Sequence, residues 1–99
     1  MIVKIFWTPL ATERLESIFD YISKEDSTAA YKMIDKIFDK VESLSKYPER
    51  GRKVPETNRE DIREVFENSF RIIYRVDPKR IYILSIRNFK QLLPEKNLE

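Results

Sequence analysis

Cysteine and histidine are both missing from this 99-residue chain, and glycine occurs once, at Gly51. Without cysteine there is no disulfide, no thiolate zinc site and no cysteine nucleophile, and a cytoplasmic setting is allowed. Without histidine the commonest general base and metal ligand is gone, so any catalysis must rest on Lys, Arg, Tyr, Ser or carboxylates. No apolar run exceeds a few residues, and the opening stretch from Met1 to Trp7 lacks both a charged leader and a signal-peptide core. The expectation is a soluble, cytoplasmic protein with no membrane partner. Paired-carboxylate spacing, a Gly-rich phosphate loop, a metal-ligand cluster and a nucleophile motif are all absent from the sequence, so no metal and no cofactor is expected.

What is present is the material of one ordered domain: 41% hydrophobic residues and 12% aromatics in a chain long enough for one core and too short for two. Residues 1–99 are expected to form a single domain, with 91–99 as a flexible tail. The net charge of +2 is unevenly spread, because residues 48–90 hold 11 basic groups against 7 acidic ones. That modest excess suits a phosphate-bearing or acidic partner, and suits ordinary solvated charge equally well.

Residues 2–7 read as a strand that stops at Thr8-Pro9, where Thr8 suits an N-cap and Pro9 the first helical position. From Pro9 to about Ser23 or Lys24, Ala11, Leu15, Ile18, Phe19 and Ile22 form one apolar helical stripe, with Glu13, Arg14, Glu16 and Asp20 turned mostly to water. Candidate caps at Glu25 to Thr28 then open a second helix whose apolar positions run from Ala30 through Met33, Ile34, Ile37, Phe38 and Val41 to Leu44. Pro48 ends it, and a loop punctuated by Gly51 runs to Pro55.

Three strands follow: Ile62 to Phe66, Phe70 to Val76, and Ile81 to Ile86, with turns at Asn68-Ser69 and Asp77-Pro78-Lys79. The expected fold class is therefore α+β, in the order β-α-α-β-β-β: an N-terminal strand, an antiparallel two-helix hairpin packed on one sheet face, and a three-stranded antiparallel meander. Alternation along the Phe70–Val76 strand sends Phe70, Ile72, Tyr74 and Val76 to one face and Arg71, Ile73 and Arg75 to the other. By that parity Tyr74 is a core residue.

The face left by the helices is where function is expected. Arg50, Arg52 and Lys53 in the loop, Arg63, Arg71, Arg75, and Arg87 with Lys90 are candidates to converge there on a target or an anion, with strand neighbours close enough to clamp a phosphate. The competing reading pairs these arginines with Glu49, Glu56, Asp61, Glu64 and Glu67, which are interleaved among them.

Taken together, Trp7-Thr8-Pro9 with Ala11, the Tyr47-Pro48-Glu49-Arg50-Gly51-Arg52 loop, Ile62-Arg63-Glu64, Phe70-Arg71-Ile72-Ile73-Tyr74 and Ile83-Leu84-Ser85-Ile86-Arg87-Asn88 resemble the RelE/ParE superfamily of type II toxin–antitoxin toxins. The resemblance covers about residues 2–94. It implies a small toxin neutralised by a cognate antitoxin, in a hetero-oligomer whose partner folds on binding. RelE-like toxins cleave messenger RNA on the ribosome; ParE-like toxins inhibit DNA gyrase. The Pro-Glu-Arg-Gly-Arg loop, the Ile-Arg-Glu strand start and the Arg87-Asn88 step are closer to the ParE-like branch.

By that resemblance Arg71 matches the arginine that the RNA-cleaving branch places on the scissile phosphate, and Arg63 a basic strand position. The match then fails, because Phe89 stands where that branch has arginine and Glu95 stands near its tyrosine. The leading expectation is thus a gyrase-inhibiting protein, with the basic sheet face and the segment Phe89 to Leu93 as contact surface, and Phe89, Leu92 and Leu93 under the antitoxin. The alternatives are an mRNA endonuclease using Arg63, Arg71, Arg87 and Lys90, in which Arg71→Ala abolishes cleavage while folding survives, and a decayed toxin that only binds its antitoxin.

Overall fold

A computed structural model describes residues 3–88. The chain runs through β1 (Lys4–Trp7), α1 (Pro9–Ser23), α2 (Ser27–Lys46), β2 (Arg52–Lys53), β3 (Ile62–Glu67), β4 (Phe70–Val76) and β5 (Arg80–Asn88). The Thr8 hydroxyl accepts the Ala11 amide and donates to the Ile83 carbonyl at 2.7 Å, so the residue that caps α1 also ties the helix start to β5. Asp26 caps α2 through the Ala29 amide at 3.1 Å.

β3, β4 and β5 pair antiparallel in sequence order, as the meander requires. The complete sheet has five strands in the order β1-β5-β4-β3-β2, which differs from the expected arrangement in two ways. β1 joins as an edge strand parallel to β5, with Lys4 to Trp7 opposite Arg80 to Ile83. The two residues of β2, inside the expected loop, pair antiparallel with Arg63 and Glu64. A shift of register between Ile73 and Tyr74 places Tyr74 opposite Ile83 and Arg75 opposite Tyr82.

The helices lie on one sheet face. Ala11 from α1 and Ile37, Val41 and Leu44 from α2 close over Val65, Ile72, Tyr74, Ile81, Ile83 and Ile86. Burial of this apolar surface is the main favourable contribution to the fold. The opposite face is less open than the sequence implied. Val54, from the segment between β2 and β3, joins Ile62, Ile73 and Leu84 there in a second, smaller core.

Gly51 is required by a close approach. A Cβ at this position would lie 2.5 Å from the Glu64 carbonyl oxygen and 2.6 Å from the Tyr74 hydroxyl.

Candidate functional site

Cross-strand register decides which basic residues meet. Glu64 and Phe66 on β3 lie opposite Ile73 and Arg71 on β4, so Glu64 and Arg71 share the helix-free face. Arg63 lies opposite Tyr74 and therefore takes the helix-side face, where its Nη1 donates to the Gly51 carbonyl at 2.8 Å. Arg63 and Arg71 thus do not converge, because strand neighbours an odd number of positions apart point to opposite sides.

Arg71 is the centre of a buried ion network. It is 5% exposed, and Glu64 beside it is 1% exposed. Arg71 Nε donates to Glu64 Oε1 at 2.7 Å, while its Nη1 and Nη2 donate to the two Glu56 oxygens at 2.8 and 2.9 Å. The second Glu64 oxygen accepts from Arg52 Nε at 2.7 Å. Hydrogen bonds to Glu56 are the largest of the effects that raise the Arg71 pKa above its ordinary value; burial opposes them, and Glu64 reinforces them. Within this set, two guanidiniums face two carboxylates. The interleaved acids have therefore taken the arginine expected to hold an anion.

The remaining candidates are dispersed. Lys53 pairs with Glu60 at 3.1 Å, a surface contact of small energetic value. Arg50 has no ion pair among the described residues and lines two shallow depressions near the end of α2. Arg75 lies over the Tyr82 ring at 4.5 Å, and Arg80 over Phe6 at 4.9 Å. Arg87 stands opposite Arg71 in register, and its Nε is buried without a hydrogen-bond partner among the described residues. Burial lowers the Arg87 pKa, with the positive charges of Arg14 and Arg71 adding to the effect. Phe89, Lys90, Leu92 and Leu93 lie outside the described residues.

Arg14 is the site residue that sequence reasoning missed. Expected to face water, it lines a groove with Arg87, and its own Nε is also buried and unpartnered among the described residues. The available signal was helical spacing: Arg14 lies one turn before Ile18 and two before Ile22, on the flank of the apolar stripe. Tyr74, by contrast, is fully buried, and its hydroxyl accepts from the Gly51 amide at 2.8 Å and donates to the Pro48 carbonyl at 2.9 Å. No described helix is long and apolar enough to cross a membrane.

The two-helix layer on a five-stranded sheet is similar to the folds of toxins of toxin–antitoxin systems. Residues 5–93 match the family described as ParE toxin of type II toxin-antitoxin system, parDE. The chain belongs to that family. It is similar to Toxin RelE2 of Caulobacter vibrioides, with 34% identity over 89 residues that cover 90% of this chain and 98% of the relative. It is 41% identical over 49 residues to Putative toxin Y4kP of Sinorhizobium fredii, where the alignment covers 50% of this chain and 51%, about half, of the relative. Among solved structures it is similar to a chromosomal ParDE toxin–antitoxin system from P. aeruginosa, with a TM-score of 0.71 and 26% identity over 88% of this chain and 96% of that one.

Proposed function

We propose that this toxin acts in the cytoplasm by binding a protein target, DNA gyrase, and is held inactive in a hetero-oligomer with a cognate antitoxin. The observation that carries the reading is the state of Arg71. RNA cleavage by the route of the RelE-like branch needs a guanidinium free to neutralise the scissile phosphate as charge builds in the transition state. Here that guanidinium is buried, and the short bonds from its three nitrogens go to Glu64 and Glu56. Release would leave the buried Glu64 carboxylate with Arg52 as its one remaining guanidinium partner, which costs several kcal/mol, about 3–5 by analogy with other broken buried pairs. Arg63, on the other sheet face, cannot assist.

The proposed target surface is therefore smaller than the full basic set. Arg50, Arg75 and Arg87 are the cations outside the ion network, and they are joined in this reading by the segment Phe89 to Leu93. Arg52, Arg63 and Arg71 serve the fold, Lys53 is held by Glu60 at the surface, and Lys90 keeps only a share in the charge of that segment. Membership of the ParE toxin family supports the choice of gyrase.

The test sets purified chain against gyrase in a DNA-supercoiling assay and, in parallel, against programmed ribosomes carrying labelled messenger RNA. Inhibition of supercoiling with intact transcripts is expected. Cleaved transcripts with unaffected supercoiling would overturn the proposal in favour of the nuclease, and inertness in both assays would overturn it in favour of a decayed toxin.

A further inference from the structure

The helix-free face of the sheet ends, at the edge formed by β1, in a row of flat side chains. Phe6 and Tyr82 are register partners across β1 and β5, and Tyr82 and Arg75 are partners across β5 and β4. Tyr82 packs on the second core of Val54, Ile62, Ile73 and Leu84, which fixes the row on the face away from the helices. The Phe6 and Tyr82 rings stack with 5.9 Å between centroids and 28° between planes. Arg75 lies over the tyrosine ring at 4.5 Å and Arg80 over the phenylalanine ring at 4.9 Å. Four planar groups are thus gathered at one corner, and Phe6, on the edge strand, stays 41% exposed.

The corner is cationic. Lys4, Arg75, Lys79 and Arg80 meet here: Lys4 stands opposite Arg80 in register, and Lys79 precedes Arg80 in the turn. Asp61 acts electrostatically on Arg75, and Asp77 on Arg75 and Arg80. Both carboxylates are committed elsewhere. Asp61 holds the Arg59 guanidinium through bonds of 3.0 and 2.8 Å, and Asp77 accepts the Lys79 and Arg80 amides. A guanidinium laid on a ring keeps its N–H groups in its own plane, pointing past the ring edge, where an acceptor can meet them. Arg80 opens β5, so the corner stands roughly 25 Å along that strand from Asn88, at the other end of the sheet from the Arg14 and Arg87 groove.

We propose that this corner binds single-stranded DNA, with a base stacked on Phe6 and the neighbouring phosphates held by Arg75 and Arg80. An aromatic plane accepts any base through its π face, and the arginines beside it supply the charge and the fork that phosphate oxygens take up. A duplex keeps its bases stacked inside and would leave the Phe6 ring uncovered. An acidic aliphatic peptide would engage the arginines alone. RNA shares the chemistry; the choice of DNA rests on the reading of gyrase as the target, because that enzyme holds DNA as its substrate. The toxin then touches both the enzyme and the strand it works on.

Fluorescence anisotropy of labelled single strands of about 12 nucleotides, with the full chain and no gyrase present, tests this. Oligo-dT and oligo-dA are both expected to bind, RNA of the same length no more tightly, and duplex about tenfold more weakly. Phe6→Leu should lose about fivefold or more in affinity. Arg75→Gln and Arg80→Gln should each flatten the dependence of log affinity on log salt by about 0.7. Lys24→Gln, the same charge change at the exposed tip of the helical hairpin, should leave affinity and slope unchanged. Arg80 is exposed, so its variant tests the site even where Phe6→Leu fails to fold. Affinity unchanged in both arginine variants or in a folded Phe6→Leu, equal loss in Lys24→Gln, duplex binding as tight as single strand, tighter binding of RNA, displacement by polyglutamate of matched charge, or no binding at micromolar protein would each overturn the proposal. Supercoiling assays keep the two readings apart. Strand binding without inhibition of gyrase strikes the target alone, and inhibition without strand binding strikes the corner alone.

Discussion

Gly51 and Tyr74, 23 positions apart, are joined by a 2.8 Å hydrogen bond from the glycine amide to the tyrosine hydroxyl. The same hydroxyl donates to Pro48, so one buried side chain fastens the whole turn that leads from α2 into β2. Tyr74→Phe is expected to lose about 1–3 kcal/mol, because the Gly51 amide and the Pro48 carbonyl both lose their partner. Gly51→Ala is expected to cost about 3 kcal/mol, the neighbours being a backbone carbonyl and a ring already packed on all sides. Urea denaturation of the two variants checks both values.

Tyr74 also sets an alkaline limit. Burial is the largest influence on its hydroxyl and raises the pKa above the ordinary value; the Gly51 amide pulls the other way. The folded state therefore keeps a proton that the unfolded chain gives up near pH 10, and stability is full below about pH 10 and lost as pH rises further. In Tyr74→Phe this part of the decline is expected to vanish. Denaturant midpoints measured from pH 8 to pH 11 on both chains give the comparison.

Substitution of Arg71 is expected to act on folding before it acts on any activity. Arg71→Ala leaves Glu64, at 1% exposure, with one of its two guanidinium partners gone. A loss of about 3–5 kcal/mol follows, measurable by thermal or chemical unfolding. The outcome expected of a surface catalytic arginine, lost cleavage with folding intact, conflicts with this burial. Replacing Arg71 and Glu64 together by leucine should restore much of the stability, since an apolar pair needs no compensation.

The β4–β5 turn has an acid limit. Asp77 accepts the amides of Lys79 and Arg80 at 3.0 and 2.8 Å, and the Lys79 bond is the largest influence holding its carboxyl below the usual range. The folded state thus favours the carboxylate. Its contribution is present above the ordinary aspartate value, near pH 4, and is lost as pH falls through the lowered one. Asp77→Asn is expected to flatten the acid arm of the stability profile between about pH 5 and pH 2. Thermal melts of both chains across that range provide the check.

Local chemistry was readable where neighbouring residues carry it. Thr8-Pro9 marks the start of α1, the three- and four-residue steps from Ala30 to Leu44 mark α2, and the alternation from Phe70 to Val76 assigns the faces of β4. The partner of β1 was not readable, since four alternating residues show that a strand exists and carry nothing about a neighbour more than 70 positions away. The two residues of β2 are too few to show alternation at all. At the site, the interleaving of arginines with glutamates was plain, but who holds whom depends on strand parity and on the reach of long side chains. Arg63 and Arg71, eight positions apart, end on opposite faces because a turn intervenes and the register pairs Arg63 with Tyr74. Arg14 stayed hidden because the residue that gives it meaning, Arg87, lies on a different element.

The pairing of β1 with β5 also bears on the order of events during synthesis. β1 is made long before β5, which is its sole strand neighbour among the described residues, and Thr8 anchors the start of α1 to Ile83 and Leu84. A nascent chain interrupted before Arg80 carries both helices and most of the meander yet has nothing to close the sheet edge beneath α1. The edge beneath α1 thus closes only once β5 has been made, and fragments that stop before Arg80 lack the strand that anchors the start of the helix.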